Sequence, residues 1–184
     1  MSELSIKTID QIPLSTLKEC ADRLIGKDYY AIEQLEEIFR DDLSHKSSCG
    51  LVDQTGKLLG FRISQGPGSW ASSFKEGKIT PTKWPFPKDK AAYFKSLFLD
   101  PSVQRLGWGQ KLSLKSMEIL KANGSAGVVS HSWKESPSSF KYLEKIGFTP
   151  LREHPLFWSK IDYECTLCGK PPCQCTSIEM IKVL

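Results

Sequence analysis

The sequence has no apolar run approaching the roughly 20 residues that a membrane-spanning helix requires. Its first residues, Met1–Lys7, also lack the apolar core of a secretory signal. We therefore expect a cytoplasmic protein with no membrane partner. The chain has 184 residues, of which 40% are hydrophobic, and this supports one core of ordinary size but no second full domain.

A strong charge of one sign is missing as well, since the formal net charge is only +4. Basic residues alternate with acidic ones, as in Lys141, Glu144 and Lys145, which is typical of a solvated helix face. This pattern argues against a nucleic-acid partner, and the charge suits a small anionic ligand at least as well. The sequence leaves the formation of a homodimer open.

Cysteine, in contrast, is concentrated near the C-terminus. Four of the six cysteines lie within eleven residues, at Cys165, Cys168, Cys173 and Cys175. A reducing compartment favours thiolate ligands over disulfides, and four sulfur donors favour a structural zinc ion with no open coordination position. An iron–sulfur centre and a redox dithiol pair remain alternatives. The isolated Cys20 and Cys49 are expected to be small core residues.

The cysteine-rich end is expected to form a β-hairpin appended to the main domain, which gives a domain of residues 1–163 and a zinc hairpin of residues 164–184. Residues 158–163 would lead into the cysteine cluster, and residues 178–183 would lead out of it with alternating side chains. We expect this hairpin to extend the sheet edge or to form a partner surface.

Apolar periodicity predicts an α/β chain. The predicted elements are a strand at 5–9, helices at 14–24 and 31–43, a hairpin within 49–63, a buried strand at 93–99, a helix after 109, a strand at 126–133 and a helix after 136. The strands at 93–99 and 126–133 should be parallel neighbours because a helix connects them. Residues 66–90, rich in Gly, Pro and aromatics, predict either a substrate-facing flap or a loop that covers the sheet edge.

The turn after the buried strand reads Gln104-Arg105-Leu106-Gly107-Trp108-Gly109. Glycines let the backbone approach a ligand closely, and the following helix directs unpaired N–H groups at the same place, so the turn predicts an anion site. The dinucleotide fingerprint is incomplete, since Leu112 stands where its third glycine would be, and no Gly-Lys-Ser/Thr motif is present.

The order of strand, Asp100-Pro101, glycine turn, helix, strand, helix and Gly147-Phe148 resembles the GCN5-related N-acetyltransferase (GNAT) family over about residues 93–149. The resemblance implies a mixed, mostly antiparallel sheet with a central splayed parallel pair and helices on both faces. It also implies an enzyme that moves an acetyl group from acetyl-CoA to a primary amine of a small molecule or a protein, by direct attack.

The resemblance further implies where the coenzyme binds. Backbone groups of Phe98 and Leu99 would meet the acetyl and pantetheine part, and Ser136 would bond a pantetheine amide. The Leu99 N–H would polarise the thioester carbonyl. The diphosphate would lie against the turn, which comprises Gln104, Arg105, Leu106, Gly107, Trp108, Gly109 and Gln110.

The last helix departs from the family pattern, because Leu143 occupies the place of the tyrosine that protonates the leaving thiolate. Tyr142 is the candidate acid, although it lies one residue away, which is about 100° of rotation on a helix. His131 is the candidate base because of its intrinsic pKa, with Glu135 and Asp100 as weaker candidates. Tyr142 and His131 could each be a packed core side chain instead. The alternative functions are a non-catalytic acyl-CoA-binding or scaffold module and a zinc-dependent nucleic-acid module.

Overall fold

A computed structural model describes residues 3–72, 74, 77–161 and 163–184. The helices in these ranges are α1 (Leu14–Leu24), α2 (Ile32–Ile38), α3 (Asp42–Ser47), α4 (Trp108–Ala122) and α5 (Pro137–Lys145). The strands are β1 (Leu4–Thr8), β2 (Cys49–Asp53), β3 (Leu58–Gln65), β4 (Ala91–Leu99), β5 (Gly127–Trp133), β6 (Thr149–His154) and β7 (Ser177–Val183). None of these helices has the length and apolar character that a bilayer crossing requires.

The strands form one sheet in the order β1-β2-β3-β4-β5-β7-β6. Every neighbouring pair is antiparallel except β4 and β5, which are parallel. The apolar residues of α1 and α2 pack on one face of the sheet with Phe61 and Ile63. Those of α4 and α5 pack on the other face with Phe94 and Val128. The predicted mixed sheet with a parallel pair and helices on both faces is therefore confirmed.

The two parallel strands separate after a short paired stretch. Their register runs only from Ala91 opposite Gly127 to Phe94 opposite Ser130. On the other edge of β4 the pairing with β3 skips Lys95, so this residue is an extra one in the ladder. Such a bulge bends its strand and increases the local twist. The bulge and the end of pairing coincide, which explains why β4 and β5 diverge there.

The position of the C-terminal strand differs from the expectation that it would extend the sheet edge. β7 lies inside the sheet, paired along one side with β5 and along the other with β6. The incoming strand of the hairpin is β6, and residues 155–161 form turns and a bend. A strand over 158–163 was expected there, of which residue 162 lies outside the described residues. β6 exposes Arg152 and Glu153, as suits an edge strand, whereas β7 buries Met180 and Ile181.

The helix predicted over residues 31–43 is also wrong in its length. α2 ends at Ile38, and α3 begins at Asp42 after a short break. Asp41 causes the new start because its carboxylate accepts a hydrogen bond from the Ser44 N–H at 2.8 Å, as an N-cap residue does.

Of residues 66–90 the structure describes 66–72, 74 and 77–90, and these pack on the sheet and do not line the cleft between β4 and β5. Trp70, Trp84 and Phe86 are buried and pack with Tyr93 and Val129. The expectations for this segment were a substrate-facing flap or a loop over the sheet edge, whereas these residues cover the face of the interior strands β4 and β5.

A fully buried carboxylate on β7, Glu179, holds this loop in place. It accepts hydrogen bonds from the N–H and Oγ1 of Thr80 at 3.1 and 2.8 Å and from Trp84 Nε1 at 2.8 Å, and His154 Nε2 lies 2.8 Å away. Burial opposes the charge, but the hydrogen bonds outweigh it and lower the pKa of Glu179 below its ordinary value. The network therefore joins the loop to β6 and β7.

We predict that Glu179→Gln lowers the free energy of unfolding by about 2–3 kcal/mol, because an amide cannot satisfy all of these donors and loses the charge-assisted bonds. Urea unfolding at pH 7 would measure this change. Glu153→Gln on the neighbouring strand is the matched control, since its ion pair with Lys134 is half exposed and should contribute less than about 1 kcal/mol. Equal effects of the two substitutions would contradict the structural role of Glu179.

Candidate active site

A cavity of about 710 Å³ opens where β4 and β5 diverge. This volume lies within the range of small-molecule sites. Its walls come from both sides of the sheet. Leu97 and Tyr142 belong to the face that carries α4 and α5, whereas Tyr29 and Phe98 belong to the face that carries α1 and α2. The cleft therefore crosses the sheet, so that two ligands entering from opposite faces could meet inside it.

The glycine-containing turn lies at the mouth of the cleft on the α4 side. Gly107 precedes the first residue of α4 with φ +84°, a backbone conformation that glycine adopts without strain. No side chain caps this helix, so its first N–H groups stay available for an anion. Gln104 Nε2 donates to the Leu99 carbonyl at 2.8 Å and so ties the turn to β4.

Gly109 has a different role, because it allows close approach of α4 to β4. A Cβ at this position would lie 3.4 Å from the side chains of both Leu97 and Leu99. The glycine thus keeps the start of α4 beside the divergent part of β4.

The structure brings only some of the predicted coenzyme-binding side chains to the cleft wall. Phe98, Leu99, Gln104, Arg105 and Ser136 line it. The other five residues lie in or beside the turn without lining the cavity, and they are Leu106, Gly107, Trp108, Gly109 and Gln110. The roles of all ten residues stay predictions.

One backbone donor on β4 is directed at the open side of the strand. The Asp100 N–H donates to the Leu59 carbonyl on β3 at 2.7 Å. Because consecutive amides of a strand point to opposite sides, the Leu99 N–H points away from β3. It thus faces the side on which β5 has separated, where a carbonyl oxygen could accept its hydrogen bond.

Tyr142 lies in the cleft wall and reaches the start of α4. Its hydroxyl group is 2.8 Å from the Gly109 carbonyl oxygen and 2.7 Å from Ser113 Oγ. Ser113 Oγ also accepts bonds from Arg62, whose guanidinium is buried and lies over the Phe94 ring. Burial lowers the pKa of Arg62. Tyr142, one residue before the position 143 at which a tyrosine was expected, therefore faces the cleft near the turn.

His131 follows Ser130, the last residue of β5 that pairs with β4, and its side chain lies on the face opposite to Tyr142. Its Nδ1 is 3.0 Å from the Tyr93 hydroxyl, and its ring stacks on Phe157 with 4.2 Å between centroids. Burial lowers the pKa of His131 to about 3. The imidazole is therefore neutral at pH 7 and free to accept a proton, but it can hold that proton only briefly.

The four clustered cysteines converge in the structure. Their sulfur atoms all lie within 4.8 Å of one another, and the Sγ atoms of Cys168 and Cys173 are 3.9 Å apart. A tetrahedral ion with Zn–S bonds of about 2.3 Å needs sulfur–sulfur separations of about 3.8 Å, which is close to this spacing. Cys20 and Cys49 are buried elsewhere, and burial raises the pKa of both thiols to about 11, as befits core residues.

The cysteine cluster lies directly behind one wall of the cleft. Cys165, Cys173 and Cys175 belong to the same apolar cluster as Tyr29 and Trp158, which line the cavity. The Tyr29 ring packs on Tyr163 with 4.8 Å between centroids, and Trp158 packs on Trp133, another wall residue. Sequence reasoning missed this part of the wall, because its members come from the α1–α2 connection, β5 and the segment between β6 and β7.

No protein-family model matches the sequence, and a search of curated proteins gave no match. Solved structures do match the fold. Arabidopsis thaliana Naa50 in complex with a bisubstrate analogue, CoA-Ac-MVNAL, is 12% identical with a TM-score of 0.69, and the match covers 98% of this chain and 99% of that one. Ard1 from Thermoplasma volcanium is 13% identical, with a TM-score of 0.66 and coverage of 98% and 97%.

A GCN5-related N-acetyltransferase from Kribbella flavida is 14% identical to this chain, with a TM-score of 0.61 and coverage of 98% of each chain. These matches cover almost the whole of this chain. The protein therefore has the GNAT fold, as the resemblance of residues 93–149 predicted.

Proposed function

We propose that the protein transfers an acetyl group from acetyl-CoA to a primary amine. The observation that carries this proposal is the cleft through the sheet, with an uncapped helix start at one mouth and an open strand amide inside. The helix start suits a diphosphate, and the open amide suits a thioester carbonyl. The similar Naa50 structure, solved with an analogue that contains CoA, supports the same ligand class.

In the proposed reaction the lone pair of a neutral amine attacks the thioester carbonyl carbon. The new N–C bond forms and the C–S bond breaks, while the Leu99 N–H stabilises the developing charge on the carbonyl oxygen. The sulfur leaves with the bonding electrons and takes a proton from Tyr142, which water reprotonates. The proton lost by the amine nitrogen passes to water, with His131 as a transient acceptor.

The experiment that tests this proposal follows thiol release from acetyl-CoA with a panel of primary amines. We expect turnover by the wild type and a loss of at least tenfold in kcat for Tyr142→Phe, with KM for acetyl-CoA changed less than about threefold. Acetyl-CoA binding without thiol release from any amine would favour the non-catalytic acyl-CoA module instead. A Tyr142→Phe enzyme with unchanged kcat would remove the tyrosine from the mechanism.

Gly107→Ala should weaken coenzyme binding measurably. Gly56 in the β2–β3 turn offers a matched control, since both glycines have φ near +85° and neither would place a Cβ within 4 Å of another residue. Each alanine should therefore impose a similar backbone strain, about 1 kcal/mol. Calorimetric titration with CoA should show at least fivefold weaker binding for Gly107→Ala alone. Equal affinities in the two variants would argue against the turn as the diphosphate site.

We further propose that the four cysteines hold one structural zinc ion, and that their segment is an appendage of a single domain. Residues 155–176, which we call the cysteine segment, connect β6 to β7 and contain no helix or strand among the described residues. Three of its cysteines are buried against α1-side aromatic residues. Four protein ligands leave no position for a reacting water, so the ion would stabilise this segment and take no part in the chemistry.

Removal of zinc should loosen the cysteine segment first. Hydrogen exchange after chelation should increase in residues 155–176 and stay slow in Ser177–Val183, because β7 is paired on both edges. Metal analysis should find about one zinc ion per chain, which Cys168→Ser loses and the control Cys49→Ser retains. Unchanged exchange in residues 155–176 after complete metal removal would contradict the stabilising role.

A further inference from the structure

The charged side chains that line the cleft are all of one sign. Among the described residues that line the cavity are four cations, Arg23, Arg62, Lys95 and Arg105, and no carboxylate. A wall of this kind repels a polycationic acceptor, because like charges in a partly desolvated site are costly. It attracts an acceptor that carries negative charge.

Three of the four cations already have a partner or a role. Arg23 forms an ion pair with Asp100, and Arg62 donates to Ser113 and lies over Phe94. Arg105 is in the turn at the mouth, where the proposed diphosphate would lie. These three charges therefore do not require a further anion.

Lys95 is different, since no hydrogen bond or ion pair to its ammonium group exists within the described part of the chain. Its Nζ lies 5.8 Å from the centre of the Tyr30 ring, on the face that carries α1 and α2. The bulge in β4 turns this residue into the cleft, beside His131 and Phe98 on the same side. Burial lowers the pKa of Lys95 to about 8, yet at pH 7 the group is still mostly charged.

Because Lys95 lies on one side of the sheet, it would meet either the coenzyme or the acceptor. The coenzyme turn is on the α4 side, whereas Lys95 is on the α1 side, where the acceptor would enter. A part-buried cation without a counter-ion is stabilised by any carboxylate that reaches it.

The absence of a carboxylate among the described wall residues also bears on the amine itself. His131 on this wall is a weak base, because burial lowers its pKa to about 3, and Lys95 is mostly charged at pH 7, so the acceptor must supply a fraction of free amine. A peptide α-amino group, with a pKa of roughly 7.7–8.0, is neutral several hundred times more often at pH 7 than a lysine side chain at about 10.4.

We propose that the acceptor is a peptide α-amine with a carboxylate side chain close to it, and that Lys95 binds this carboxylate. This inference rests on the proposed acetyl transfer and narrows its acceptor. It assigns to Lys95 a specificity role, with no part in bond making or breaking.

The test uses the full-length protein, acetyl-CoA and C-terminally amidated hexapeptides that begin with alanine and differ only in a second residue of Glu, Gln or Lys. For the wild type we expect kcat/KM to be at least tenfold higher for the Glu peptide than for the Lys peptide, as a charge-assisted hydrogen bond allows. In Lys95→Gln the value for the Glu peptide should fall about tenfold, mainly through KM, and that for the Gln peptide should change less than about threefold.

Lys121→Gln is the charge-matched control, because Lys121 is exposed at the far end of α4. It should leave the preference for the Glu peptide unchanged. Lys95→Gln should also be at least as stable to heat as the wild type, since it removes an unpaired and partly desolvated charge. A large loss of stability would instead indicate a structural role for Lys95 and overturn the inference.

The remaining outcomes separate the inference from the proposal on which it rests. Transfer to amines with equal rates for the three peptides, or with preference for the Lys peptide, would overturn the carboxylate preference and keep acetyl transfer. Faster acetylation of free glutamate than of any peptide would keep Lys95 as the carboxylate ligand but overturn the peptide acceptor. Failure to acetylate any amine would overturn the proposed function itself.

Discussion

The end of backbone pairing between β4 and β5 is the constraint on which the site depends. Hydrogen bonding stops at Phe94 and Ser130, so the strand ends beyond it keep polar groups that nothing in the sheet satisfies. Unpaired buried amides are costly, and a site that leaves them open is stable only if solvent or a ligand can reach them. The same separation opens a passage from one face of the sheet to the other. The shape of the cleft and its free hydrogen-bonding groups therefore both result from the end of pairing between β4 and β5.

The sequence allowed the centre of this fold to be predicted because its signals there are local. The apolar run at 93–99, the glycines of the turn and the periodicity of α4 each act within a few residues. The neighbours of β7 could not be predicted in the same way, because an alternating strand pattern does not specify which strands lie beside it. The break between α2 and α3 depends on a single capping bond from Asp41, which competes with a continuous apolar face.

The sequence allowed only the residues on one side of the cleft to be predicted. The proposed coenzyme side derives from the consecutive residues 104–110, whereas the wall proposed to face the acceptor combines Tyr29, Trp133 and Trp158 from distant parts of the chain. Lys95 belongs to no recognisable sequence motif, and its position in the cleft depends on a bulge that could not be predicted from the sequence. The cysteine cluster was evident from spacing alone, but its place behind the wall that contains Tyr29 depends on the packing of Tyr29 against Tyr163.

Two charged side chains on the α1 side of the sheet, Glu179 and Lys95, differ in whether the fold supplies hydrogen-bond partners for the charge. Glu179 is fully buried and its carboxylate accepts hydrogen bonds from Thr80 and Trp84 and lies 2.8 Å from His154 Nε2, so its charge stabilises the fold. Lys95 is part-buried and has no such partner among the described residues. A charge of the first kind fixes one arrangement of loop and strands. A charge of the second kind has an unfavourable environment until an anion arrives, and part of the binding free energy of that anion comes from relieving this cost.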